Sequence, residues 1–191
     1  MNTPAFPAPA ESPAPASSVS TAASTAPPAW PEGVQRVAAE LQRLGHPLAP
    51  VMLDDAARTA QQAADGLGVA LGQIAKSIIF RRKPDGVAVL VITSGDRRVC
   101  EAKVAALVCG PGQTLGRANA EFVKTATGFS IGGVSPLAHA TAPVTLIDRD
   151  LFRFGQIWAA AGHPHAVFGL QPQNLVDWTA APVADVTVIS P

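Results

Sequence analysis

Apolar residues recur at positions 34, 37, 41 and 44 of "PEGVQRVAAELQRLG", the spacing of one face of a helix. Pro31 suits the first turn of that helix and Gly45 the position just past its end. "APVML" then predicts a short strand. "RTAQQAADGLG" predicts a second helix, in which Thr59 and Gln62 have the spacing of a capping box. "KSIIF" and "VAVLVIT" are β-rich runs, and the "RRKPDG" between them carries Pro–Asp–Gly turn chemistry, so the pair predicts a hairpin. "CEAKVAALVCG" and "NAEFVKTATG" predict two short helices, the second capped by Asn119 and closed by Gly128. "GFSIGGV" and "APVTLID" read as strands beside a glycine loop, and "DRDLFRFG" as a helical turn or two. "IWAAAG" and "HAVFGL" read as strands around "HPH", "QPQNLVDWT" as a short helix and "VADVTVI" as a last strand. Strands and helices alternate without a regular β-α-β rhythm, and no internal repeat is present. The pattern predicts an α+β domain with a mixed, mostly antiparallel sheet.

Composition sets the limits of that domain. Residues 1–29 are almost entirely Ala, Pro, Ser and Thr, too poor in bulky apolar groups to offset the entropy of ordering. They are expected to form a disordered tail, and residues 30–191 a single domain. The formal net charge is zero, so no global basic field advertises DNA or any other nucleic acid, and such a contact would be local. Two cysteines, Cys100 and Cys109, do not make a disulfide framework and fit a reducing cytoplasm. No apolar stretch is long enough to span a bilayer. The first basic residue is Arg36 and no apolar leader precedes it, so a secretory signal is not expected.

Several residue groups are candidates for chemistry. Lys76 opens "KSIIF" at the border of a turn and a strand, where its ammonium either snorkels to solvent or meets a phosphate or polarised oxygen. Gly132 to Pro136 form G-G-V-S-P, a stiff loop with bare backbone amides. It suits a ligand bound through N–H groups, and it equally suits a β-bulge followed by a turn. It is neither a phosphate-binding P-loop nor a nucleophile elbow, which leaves Ser135 a poor nucleophile. His163 and His165 flank Pro164 and share a strand face that a metal could use, although no Cys or carboxylate stands at a telling spacing. One pocket histidine with its neighbour on the surface is the plainer reading. Asp148 and Asp150 suit a helix cap, and the Arg81–Lys83 run and Arg97, Arg98 and Lys103 suit solvated loops or a phosphate backbone.

Taken in order, "RTAQQAADGLGVALGQIAKSIIF", "VLVITSGDRRV", "EFVKTATGFSIGGVSPLAH", "LIDRDLFRFGQIWAAAGHPHAVF" and "DVTV" resemble the YbaK/ProX family of aminoacyl-tRNA deacylases. The same fold serves as the editing insertion domain of bacterial prolyl-tRNA synthetase. The resemblance covers residues 32 to 190 and rests on the order of a strand-start lysine, matched by Lys76, and a G-x-x-x-P loop, matched by Gly132 through Pro136. It implies a barrel-like sheet surrounded by helices. It also implies a free-standing, trans-editing hydrolase that cleaves a small amino acid from a mischarged tRNA, tRNA-Pro or a relative, with no cofactor and no metal. Family members work without a side-chain nucleophile: loop amides place the ester, and the ribose hydroxyl and a water do the chemistry. On that basis Lys76, Gly132 and Gly133 are the expected catalytic positions, and Val134, Ser135, Pro136 and His163 the expected substrate-binding ones. The acceptor end of aminoacyl-tRNA is the expected partner, with a synthetase as a second. The alternative is a non-enzymatic module on the same scaffold that binds tRNA ends or a protein.

Overall fold

The protein was analysed as a computed structural model, which describes residues 30–188. The expected tail lies outside the described residues. Five α-helices pack around one mixed sheet: α1 (Glu32–Arg43), α2 (Ala60–Leu67), α3 (Glu101–Val108), α4 (Ala120–Thr127) and α5 (Pro172–Thr179). The strands are β1 (Val51–Met52), β2 (Ile74–Lys83), β3 (Ala88–Ser94), β4 (Thr114–Arg117), β5 (Val144–Asp148), β6 (Ile157–His163), β7 (Ala166–Leu170) and β8 (Val183–Ala184). They run in the order β1-β7-β6-β2-β3-β5-β8, with β4 paired to β2 off that path. The β1–β7, β2–β3, β2–β4 and β6–β7 pairings are antiparallel, and β2–β6, β3–β5 and β5–β8 are parallel.

The centre of the sheet follows from its sequence. All seven residues of β3 are buried, as expected of a strand covered on both faces. Its side chains alternate, so Leu90 and Ile92 join one apolar cluster while Val89 and Val91 join another. The first cluster takes in Val34, Val37 and Leu41 of α1, Val123 of α4 and Leu175 of α5. The second takes in Val104 of α3. A third, smaller cluster seats Ala63 and Ala64 of α2 on Ile74. The Thr59–Gln62 capping box forms as the spacing predicts, with Thr59 accepting from the Gln62 N–H and Gln62 from the Thr59 N–H.

Strand β2 organises the site because it has three partners. On one side Ala75 to Arg81 pair with β3, while on the other side β6 takes Ile74 and Ala75 and β4 takes Phe80 to Lys83. Between those two partners the middle of β2 is left without a neighbour on that side, and this is where the cleft described below opens.

Three expectations need correction. "GFSIGGV" is not a strand and Gly132–Gly133 is not a bulge, because residues 129–143 form a looped connection from α4 to β5. The Gly133 N–H donates to the Ser130 carbonyl and Gly132 has φ +92°, the arrangement of a type II turn. Lys76 is the third residue of β2, not the first, because the apolar Ile74–Ala75 pair bonded to β6 extends the strand backwards. Among the described residues the final "VADVTVI" run keeps β8 and a single bridge from Thr187 to Val99, since its paired positions face two different segments.

Candidate functional site

A cleft of about 320 Å³ opens between α2, the inner part of β2, the Gly132 turn and the β6–β7 hairpin. Its walls are small: Ala57, Ala60, Ala63, Ala75, Ala159, Ala160 and Ala166, with Ile74, Ile78 and Trp158 as the larger apolar groups. The sequence-predicted Lys76, Gly132, Val134 and His163 all line it. Gly133, Ser135 and Pro136 do not, and lie buried behind the wall.

Lys76 is half-buried, and its Nζ donates to the Arg97 carbonyl at 2.7 Å. An ammonium carries three donors, so two remain for the cleft. Burial pushes its pKa below the usual lysine value, and the carboxylates of Asp96 and Asp148 oppose that shift. The group is therefore a cation held at a fixed point on the cleft wall.

The two glycines of the loop have separate reasons to be glycine. Gly132 occupies the left-handed region, and a Cβ there would find only Pro164 Cγ, at 3.7 Å. Gly133 is required by contact: a Cβ would lie 2.8–2.9 Å from the N, Cα and C atoms of His163. Its amide is already spent in the turn. Among the described residues the Gly132 N–H has no hydrogen-bond partner in the protein. The structure thus gives Gly133 a packing role and keeps Gly132 as the exposed backbone donor. Ser135 is fully buried and its Oγ accepts from the Leu137 N–H, so it shapes the loop from behind.

His163 ends β6, where a register shift loosens the β6–β7 pairing. Its Nδ1 accepts from the His165 N–H at 3.2 Å, which leaves Nε2 as the proton-bearing nitrogen of the neutral ring. The His163 and His165 rings stack at 5.5 Å, and His165 Nδ1 lies 3.3 Å from the Leu53 carbonyl. Among the described residues no three His, Cys, Asp or Glu side chains are placed to share a metal ion.

Sequence reasoning missed Arg58, Thr59, Ser77 and Trp158, which also line the cleft. Ser77 Oγ is buried there without a hydrogen-bond partner. Trp158 reaches the site because the parallel β2–β6 register sets it beside Ile74, a pairing no local pattern announces. The basic residues read as solvated loops or as phosphate contacts mostly have structural partners. Arg82 pairs with Asp85 and bonds the Val108 carbonyl, Lys103 pairs with Asp185, and Arg81 stacks over Phe122.

Residues 54–178 match the model of the aminoacyl-tRNA editing domain. The chain is 31% identical over 131 residues to the uncharacterized protein YwhH of Bacillus subtilis (strain 168), across 65% of this chain and 77% of that one. It is similar to a crystal structure presented as a candidate trans-editing enzyme for prolyl tRNA synthetase, with 38% identity and a TM-score of 0.77 over 84% of this chain and all (100%) of that one. It is also similar to the crystal structure of hypothetical protein APE2540, with 29% identity and a TM-score of 0.73 over 80% of this chain and 99% of that one. The matched span contains the whole cleft, from Ala57 to Val167, together with the strands β2, β6 and β7 that wall it. The chain belongs to the aminoacyl-tRNA editing domain family.

Proposed function

We propose that this protein is a trans-editing deacylase that hydrolyses the ester of a mischarged tRNA carrying a small amino acid, with tRNA-Pro or a related tRNA as the carrier. The observation that carries this reading is the convergence of three polar groups on one alanine-walled cleft: the Lys76 ammonium, the free Gly132 N–H and His163. An aminoacyl ester presents a carbonyl that becomes an oxyanion, an adjacent ribose hydroxyl and a nearby phosphate. The cleft offers a matching set. The Gly132 N–H is a fixed dipole for the developing oxyanion. Lys76 supplies a cation for the terminal phosphate or ribose. His163 supplies a donor at Nε2, and the alanine walls leave room for the aminoacyl side chain. A site of this kind discards what a synthetase cannot reject by binding alone.

Water attacks the ester carbonyl, the acyl C–O bond to the ribose oxygen breaks, and the proton released by the water ends on that ribose oxygen. The products are a free amino acid and an uncharged tRNA. The test is a hydrolysis panel in which tRNA-Pro and related tRNAs are charged with Ala, Cys, Ser, Thr, Pro or small non-protein residues. Faster release of one or more small amino acids than of the cognate one is the expected result. Tight binding of charged tRNA without release from any member of the panel would instead support the binding-module alternative.

A further inference from the structure

Lys76 is held by the carbonyl of Arg97, and among the carboxylates that tie down the loop presenting this carbonyl is Asp148. That side chain is fully buried. Its Oδ2 accepts from Thr93 Oγ1 at 2.8 Å and from the Ser94 N–H at 3.2 Å, fastening the end of β3 where the loop begins. Its Oδ1 accepts from the Asp150 N–H at 3.0 Å, fixing the 3-10 turn Arg149–Arg153. Asp150 in turn binds Arg97 Nε at 2.5 Å, and the Arg97 N–H closes a turn onto the Ser94 carbonyl. Asp148 and the residues bonded to it thus form one continuous set of ties to the Lys76 anchor, beside the Asp96–Arg153 pair and the Val188 N–H that donates to the Arg98 carbonyl. Among the described residues the Asp148 carboxylate makes no salt bridge of its own, and the cations that face it are Lys76 and Arg97. Burying a carboxylate in this way is costly unless a cation nearby compensates it.

We propose that Asp148 is a positioning residue for Lys76: it fixes the loop whose carbonyl holds the Lys76 ammonium, and with Asp96 it sets a negative charge facing that ammonium, buried in the case of Asp148. Asp96, on the same loop, also faces Lys76, but it is more exposed and is engaged by Arg153. The role of Asp148 rests on the deacylase reading only in its consequence for rate; the arrangement itself is testable without any substrate.

The experiment follows the Lys76 side chain in the full-length protein by NMR, with lysine labelled at the ε-carbon and the resonance assigned with Lys76→Met. Asp148→Asn is expected to move the Lys76 titration down by about half a unit or more, because the charged form loses a stabilising carboxylate. Thr93→Val removes one hydrogen bond to Asp148 but no charge, and is expected to leave the Lys76 titration near that of the wild type. An unshifted titration in Asp148→Asn overturns the proposal, as does an equal shift in Thr93→Val. If Asp148→Asn does not fold, Asp148→Glu decides the matter: it keeps the charge but displaces the carboxylate from Thr93 Oγ1 and the Ser94 N–H, so the Lys76 ε-carbon resonance should move from its wild-type position. A Lys76 resonance unmoved in Asp148→Glu overturns the proposal. On charged tRNA, Asp148→Asn should lower the alkaline limb of the kcat/KM profile by the same shift as the Lys76 titration. Should no charged tRNA be hydrolysed even by the wild type, the deacylase reading fails, and the titrations still decide the positioning role.

Discussion

Gly133→Ala tests whether the loop is held against β6 by a contact that admits no side chain. The added Cβ would sit 2.8–2.9 Å from three backbone atoms of His163, whereas ordinary contact begins near 3.4 Å. About half an ångström must therefore open between the loop and the strand. No rotamer change can supply it, because His163 is backbone-paired with Ala166 in β7. Overpacking of this kind costs about 1–3 kcal/mol. At about 2–4 °C per kcal/mol for a domain of this size, the melting midpoint should fall by several degrees. Gly132→Ala provides the contrast. Its Cβ has room, so its cost arises from φ +92° and amounts to about 1–2 kcal/mol. The two variants lose stability for different reasons, and of the two glycines only Gly132 lines the cleft and has an N–H without a partner among the described residues. Calorimetry and urea unfolding would be paired with single-turnover hydrolysis of mischarged tRNA well below both midpoints. Gly132→Ala should then lose rate on the order of a hundredfold, the cost of one misplaced oxyanion donor. A Gly133→Ala protein that melts with the wild type would refute the contact argument. A Gly132→Ala protein that hydrolyses at the wild-type rate would remove its N–H from the chemistry.

Lys76→Ala should reduce deacylation on the order of a hundredfold while the melting temperature holds or rises, since a half-buried ammonium no longer has to be desolvated; an unchanged single-turnover rate would take Lys76 out of the site. Thr59→Ala removes the capping oxygen of α2 and should cost about 1 kcal/mol in urea unfolding. His139 lies against Phe129 with both ring nitrogens buried and unpartnered among the described residues, the Pro136 carbonyl facing it short of hydrogen-bond geometry. Burial pushes its pKa down to about 4, so the unfolded chain takes a proton that the folded chain refuses, and up to about 3 kcal/mol of stability should drain away as the pH falls from 6.5 towards 4. His139→Phe should flatten that part of the stability–pH curve, and an identical acid slope in the two proteins would contradict it.

The elements that read correctly from the sequence are those in which local chemistry and tertiary packing agree. Helix α1 has an apolar stripe at Val34, Val37 and Leu41 and buries those residues. The β2–β3 hairpin has two β-rich runs around one Pro–Asp–Gly turn, and seven register pairs follow from it. The misread elements are those in which a distant neighbour decides. Phe129, Ser130 and Ile131 have strand-like composition, yet Thr127 and Phe129 are drawn into a side-chain cap at the end of α4, and the chain must then turn to clear β6. Strand β4 went unpredicted because "TLGR" is short and has no alternation, and it exists through pairing with Phe80 to Lys83 of β2. Local propensity is a weak guide wherever such long-range pairing can override it.

The same distinction divides the candidate site. Lys76 and Gly132 were legible because a lone cation and a positive-φ glycine are marked by residue type alone. The role of Gly133 was not, because its cause is the backbone of a residue 30 positions further along the chain. Asp148 shows the limit most clearly. Its expected part, capping the turn that follows β5, is met through the Asp150 N–H. A cap requires only one oxygen and ordinarily stands in water, whereas Asp148 is fully buried and uses its second oxygen on β3. The parallel β3–β5 pairing brings this about by setting Ile92 beside Ile147, so that the residues which follow them, Thr93 and Asp148, leave the ladder together. A sequence motif records the first use of such a residue, and the sheet register creates the second. Residues that hold a half-buried cation in place are therefore to be sought at the ends of paired strands, even where a motif has already accounted for them.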